Sequence, residues 1–212
     1  MALAVLIAVL PPVIAWFWLR RTTNISAITF LFALAAGVLS LALAAFVQTV
    51  LPEIKFDTAR ISLPQILIRT ALVEEGSRIA LLALLFKARF FNGGRTNAPD
   101  AALAGMIAGL AFAAVETLSF AAASSVGLIR LLRIGAALLH AACGLRCGLA
   151  SCAALSWNSR GAIWSCVLNF AAAVSLHTLY NFMAPRGGIF TVLAMLLALS
   201  SLASGLRRYP GA

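Results

Sequence analysis

The stretch Val73-Glu74-Glu75-Gly76-Ser77-Arg78 lies between two apolar runs, Ile66-Leu67-Ile68 and Ile79-Ala80-Leu81-Leu82-Ala83-Leu84-Leu85. Its reading decides the fold, because the flanks suit lipid and the centre does not. A charge at the bilayer centre costs about 2.5–3.5 kcal/mol on insertion scales, so something must retain Glu74, Glu75 and Arg78. The simplest retention is local. Glu74 to Arg78 is an i,i+4 step and Glu75 to Arg78 an i,i+3 step, and both place the partners on one helix face. One guanidinium does not fully neutralise two carboxylates, so one glutamate is left over.

The whole chain repeats this contrast. Of its 212 residues 63% are hydrophobic and only 10% charged, and the mean hydropathy of +1.02 lies far outside the range of soluble domains. These values describe an integral membrane protein. A crossing needs about 20 apolar residues, so this length holds six to eight spans with little left for a soluble domain. The net charge of +10 comes from 16 Lys and Arg, but they stand singly or in pairs at span ends and form no continuous basic face. Nucleic acid is therefore not an expected partner; the bilayer is. Cys143, Cys147, Cys152 and Cys166 lie in apolar stretches without CxxC spacing, which supports packing rather than a disulfide framework or a zinc knuckle.

Apolar runs and breakers predict an all-α, polytopic transmembrane bundle of about seven spans, forming a single domain over residues 1–212. The spans fall at 2–19, with a kink expected at Pro11-Pro12, then at 26–51, 71–86, 101–121, 134–156, 162–183 and 188–205. The first span lacks a basic leader and is too long for a cleaved signal peptide, so it is expected to stay. Residues 61–70 mix apolar positions with Pro64, Gln65 and Arg69 and predict an interfacial helix before the third span. The loop over 51–57 is nearly neutral, and Lys87–Arg95 reads as a basic connection. The positive-inside rule gathers Arg20, Arg21, Lys87, Arg89, Arg95, Arg160, Arg207 and Arg208 in the cytoplasm if the N-terminus is outside and the C-terminus inside.

Further polar residues sit inside spans. Gly105, Gly109, Phe112 and Glu116 follow steps of four, three and four, forming one narrow stripe whose small residues admit a close neighbour. Arg133, His140, Gly144 and Gly148 form a second stripe, and His177 and Asn181 are an i,i+4 pair on a third helix. Three of the six acidic residues and both histidines thus lie within spans, which points to one shared polar site inside the bundle.

Such a set suits hydrolysis. A carboxylate withdrawn from water beside a histidine becomes a stronger base and can take a proton from a water molecule. Histidine and asparagine donors one turn apart can face the oxygen of an attacked carbonyl. Glu and His are also zinc ligands, and a metal site would draw on Glu75, Glu116, His140 and His177, although HExxH spacing is absent. A proton-coupled transporter or a receptor is the non-enzymatic alternative. It would call for polar residues leading away from the cluster on both sides, and the first, second and last spans carry no internal charge.

Four segments carry a resemblance. Glu74-Glu75-Gly76-Ser77-Arg78 is similar to an EExxK motif, and Gly109-Leu110-Ala111-Phe112-Ala113-Ala114-Val115-Glu116 to a GxxFAxxE motif. His140-Ala141-Ala142-Cys143-Gly144 and His177-Thr178-Leu179-Tyr180-Asn181 are similar to the two histidine segments. In this order, over about residues 1–185, they resemble the PrsW family of intramembrane proteases, itself similar to the CAAX prenyl endopeptidases and bacteriocin-processing proteins. The resemblance implies a peptidase in a bacterial or archaeal cell membrane, cutting a membrane-anchored protein such as an anti-sigma factor or a prepeptide. It implies that Glu74 or Glu75 activates water, that Glu116 and His140 assist, that His177 and Asn181 stabilise the oxyanion, and that Arg78 and Phe112 support the site. No cofactor is expected, with zinc as the possible exception. Which of the adjacent glutamates is the base stays open.

Overall fold

The computed structural model describes residues 2–23, 25–51, 62–91, 97–123, 127–155 and 159–207, and among them the regular structure is entirely helical. α1 (Ala2–Thr22) stays helical through Pro11 and Pro12. α2 (Ala27–Val50) starts at Ser26, whose hydroxyl accepts from the Thr29 backbone N–H at 3.1 Å. A one-turn α3 (Leu63–Gln65) leads into α4 (Leu72–Phe91), followed by α5 (Ala98–Ala123), α6 (Gly127–Leu155), α7 (Arg160–Met183) and α8 (Gly188–Leu206). α7 is capped by Ser159, and positive φ at Gly187 (77°) and Gly188 (53°) turns the chain into α8, where a side chain would be strained.

Among the described residues, six helices are long and apolar enough to cross a membrane: α1, α2, α5, α6, α7 and α8. α4 fills the place of the third expected span but carries Glu74, Glu75 and Arg78 in its first two turns. Protein rather than lipid surrounds those turns, since all three side chains are buried. The protein is therefore an integral, multi-pass membrane protein, as the apolar runs predict.

α5 and α6 form the centre. In α5, 78% of the spanning stretch is buried, against 17% in α8 and 22% in α1. The glycine stripes explain the pairing. A Cβ on Gly105 would collide with the Gly144 carbonyl, one on Gly109 with the His140 carbonyl, and one on Gly148 with the Ala101 carbonyl. The two backbones touch where only glycine fits, the close approach on which helix association in lipid relies. Gly37 repeats the device between α2 and α5, against the Ala108 carbonyl.

The 61–70 segment is helical where described and leads straight into the third span. From Leu63 it runs through a π-helical stretch, Ile66–Ala71, directly into α4. Its polar groups are answered by protein: Arg69 donates to the carbonyls of Gln48 (2.9 Å) and Leu51 (3.5 Å), and the Gln48 amide donates back to the Arg69 carbonyl at 3.1 Å. This exchange satisfies open carbonyls at the C-terminal end of α2 and ties the segment to it, with Ile66 and Ala71 buried and Leu63 and Ile68 left exposed. The helix also continues to Phe91, so the first part of the expected Lys87–Arg95 connection is α4 itself. The remainder of that connection and the neutral loop after Leu51 lie outside the described residues.

Candidate active site

α4 supplies two carboxylates at one level of the bundle, and their surroundings separate them. Glu75 and Arg78 form an i,i+3 ion pair with neither side chain exposed. The same Glu75 carboxylate accepts from His177 Nδ1 at 2.6 Å, and the Cys147 thiol lies 3.2 Å from its Oε2. Glu75 is thus held from three sides. Glu74, one residue earlier, is buried with Oε2 lacking a hydrogen-bond partner among the described residues, 3.7 Å from His177 Nε2. That separation is too long for a direct hydrogen bond. Of the two pairings open to Arg78, the i,i+3 partner is the one formed, and Glu74 is the carboxylate left over.

The imidazole tautomers follow from what each neighbour can do. A carboxylate paired with arginine only accepts, so His177 carries its proton on Nδ1 toward Glu75 and turns the Nε2 lone pair toward Glu74. His140 Nδ1 sits 3.2 Å from Arg78 Nη2, and a guanidinium only donates, so Nδ1 accepts. Its Nε2–H then donates to Glu116 Oε2 at 3.1 Å, and Arg133 reaches the same oxygen at 2.5 Å. The two histidines meet edge to face, ring centres 5.1 Å apart. Phe112 closes one wall, 4.7 Å from the His140 ring and 4.5 Å from the Arg78 guanidinium. Such contacts between a cation and an aromatic face strengthen in a dry interior.

The helix faces explain the convergence. The glycine contact of α5 with α6 brings Phe112 and Glu116 against His140. α7 reaches α6 through the Cys143 thiol, 3.4 Å from the Ala173 carbonyl, one turn before His177. α4 is fixed to α6 by Cys147 and by Ser151, whose hydroxyl lies 3.0 Å from the Ile79 carbonyl.

Five of the six residues expected in the site, Glu74, Glu75, Glu116, His140 and His177, join in this linked arrangement, together with the supporting Arg78 and Phe112. Asn181 is half-buried and takes no part in the hydrogen-bond network. A model of PrsW family intramembrane metalloproteases matches residues 22–204. The chain belongs to the PrsW family. No curated protein and no solved structure matches it. Membership makes the protein a membrane-embedded peptidase, a hydrolase, as the four motifs imply.

The family description raises the question of a metal. Glu74, His140 and His177 offer ligand atoms that all lie within 4.8 Å of one another. This differs from the set Glu75, Glu116, His140 and His177 expected from sequence, because Arg78 occupies Glu75 and Arg133 occupies Glu116. The donor chemistry fits a zinc ion. Glu74 Oε2 is an orphan, and His177 Nε2 has a free lone pair while its other nitrogen is fixed by a carboxylate, the usual support of a metal-bound histidine. Both His140 nitrogens are engaged, Nδ1 by Arg78 and Nε2 by Glu116, so His140 joins the set only if one of those contacts opens.

Sequence reasoning missed two contributors. Cys147, read as packing, reaches Glu75, and Arg133, noted only as a member of a stripe, holds Glu116. Cys147 stands seven residues, two helical turns, beyond His140, and that spacing was the available signal.

Proposed function

We propose that this protein is an intramembrane endopeptidase in which Glu74 is the working carboxylate and hydrolyses a peptide bond of a membrane-anchored protein with an activated water. The observation that carries the reading is the orphaned Glu74 Oε2, 3.7 Å from a lone pair of His177, beside a Glu75 whose oxygens are already engaged. Two acceptors this close can share a proton donor seated beside them, and water has two protons to give. Glu74 takes one proton as the water oxygen bonds to the substrate carbonyl carbon. The proton then passes by way of His177 Nε2 to the leaving amine as the C–N bond breaks. Glu75 and Arg78 keep the His177 ring oriented throughout. Asn181, one turn beyond His177, has an uncommitted amide suited to stabilising the oxyanion. Glu116 and His140 act through Arg78, which they hold in place.

The family's description favours a second reading on the same residues. Zinc held by Glu74, His140 and His177 would supply Lewis-acid polarisation of the carbonyl and a more acidic water. Substrate class follows the resemblance: a membrane-anchored protein, of the anti-sigma factor or prepeptide kind. Charge distribution supports an orientation with the N-terminus outside and the C-terminus in the cytoplasm; the resemblance implies a bacterial or archaeal cell membrane, and the 212 residues are read as a single domain. The test is a survey of new N-termini in membrane proteins of cells that express the wild type or Glu74→Gln. Cut sites that need Glu74 and fall in or beside apolar segments support the reading; identical N-terminal profiles in the two strains refute it.

A further inference from the structure

Arg146 lies well inside the α6 span and has no part in the site. Nine residues, or about 13 Å of helix, separate it from Leu155 at the end of α6, and Asn169 lies nine residues from Arg160 at the matching end of α7. A guanidinium at this depth needs acceptors, because hydrocarbon supplies none. Arg78 and Arg133 have carboxylates and Arg69 has helix-end carbonyls. For Arg146 the described partner is a neutral amide, Asn169 Oδ1, at 3.4 Å. The Asn169 amide nitrogen is committed in turn to the Ser165 carbonyl (2.8 Å) and hydroxyl (3.4 Å). No carboxylate among the described residues forms an ion pair with Arg146, so most of its five N–H donors remain to be answered.

The surroundings say where an acceptor would come from. Arg146 and Asn169 are half-buried, Ser165 is exposed, and Trp164 (63%) and Leu168 (62%) face outward on the same stretch of α7. The notch therefore opens toward lipid, and Trp164, five residues nearer the Arg160 end of α7 than Asn169, stands closer to the headgroup level where tryptophan rings settle. Arginine stems follow apolar surface toward that level, and the exposed Arg160 adds a second cation at the rim.

We propose that the notch between α6 and α7, formed by Arg146, Asn169 and Ser165, binds the phosphodiester of an anionic phospholipid. The phosphate oxygens accept the guanidinium donors that the protein leaves open, and the acyl chains lie along the exposed face of α7. Under the positive-inside orientation the notch belongs to the cytoplasmic leaflet, where anionic lipid gathers and basic clefts between helices hold headgroups. The site is separate from the Glu74 cluster and does not depend on how that cluster works.

The test uses the full chain in nanodiscs of phosphatidylcholine with a minor share of phosphatidylglycerol, reading lipids that stay bound by native mass spectrometry. The wild type is expected to retain phosphatidylglycerol about tenfold or more above its share, the scale of a hydrogen bond to a charged group. Arg146→Leu removes the preference, and being apolar toward lipid it melts no lower than the wild type in pure phosphatidylcholine. Arg146→Lys keeps a weaker preference. Equal enrichment in wild type and Arg146→Leu, or none in the wild type, overturns the proposal. Inorganic phosphate is the second arm: at millimolar concentration it should leave the bound lipid unchanged. If it displaces the lipid, or stabilises lipid-free protein equally well, the notch takes free phosphate and the lipid assignment falls.

Discussion

Arg78→Met removes one half of an ion pair whose two side chains are both fully buried. It leaves the Glu75 carboxylate unneutralised in the protein interior, and breaking a buried pair in this way costs about 3–5 kcal/mol. The substitution also deprives His140 Nδ1 of its donor and Phe112 of its stacked cation, so the upper half of that range is expected. Glu75→Gln should cost nearly as much, since it strands the guanidinium. The double variant strands neither charge. Its destabilisation should fall short of the sum of the singles by about 3 kcal/mol, the signature of one directly coupled pair. Arg78→Lys keeps the charge but loses the geometry in which one arm meets Glu75 and another meets His140, and should cost about 1–2 kcal/mol. Reversible unfolding in mixed micelles of increasing denaturing detergent, followed by helical circular dichroism, gives all four free energies. Single-variant costs that add within about 0.5 kcal/mol would show no coupling and refute the pairing on which the assignment of Glu75 rests.

Two glycines should respond in opposite directions. Gly109→Ala drives a methyl into the His140 carbonyl, forces α5 from α6 and should lower both stability and peptidase activity, whereas a Cβ at Gly76 meets nothing within 4 Å. Gly76→Ala should therefore raise stability by about 0.5–1 kcal/mol through helix propensity, read by the same unfolding assay. If zinc serves the site, purified protein carries it near one equivalent, chelation abolishes cleavage, and His177→Ala loses the metal while Asn181→Ala keeps it. Elemental analysis beside an activity assay decides this, and fully active metal-free enzyme excludes that reading.

Much of the arrangement was legible because intramembrane charges and glycines are scarce and carry meaning. The stripes Gly105-Gly109-Phe112-Glu116 and His140-Gly144-Gly148 marked the two faces that meet, and the surplus carboxylate at Glu74-Glu75 announced a division of roles. Spacing along a helix shows which residues share a face, though not which residue on the facing helix each one meets. For that reason the partner of Arg78, the reach of Cys147 and the salt bridge from Arg133 to Glu116 emerged only with the structure. The π-helical stretch over Ile66–Ala71 leaves little trace in an apolar sequence, and the exchange of hydrogen bonds that ties it to α2 joins Arg69 to Gln48, 21 residues away. Arg146 falls in the middle of the expected 134–156 span, an exception to the reading that Lys and Arg stand at span ends, and what spacing does not show is its partner Asn169 on the facing helix.

The central claim is that Glu74, not Glu75, meets the water. Its most direct test is the cleavage rate of Glu74→Gln and Glu75→Gln in bilayers on one membrane-anchored substrate, with the folding free energy of each measured alongside. The account predicts that Glu74→Gln folds as well as the wild type and cleaves about 10²–10⁴-fold more slowly, the contribution expected of a general base, while Glu75→Gln loses stability together with activity. A folded Glu74→Gln protein that cleaves at the wild-type rate would contradict it.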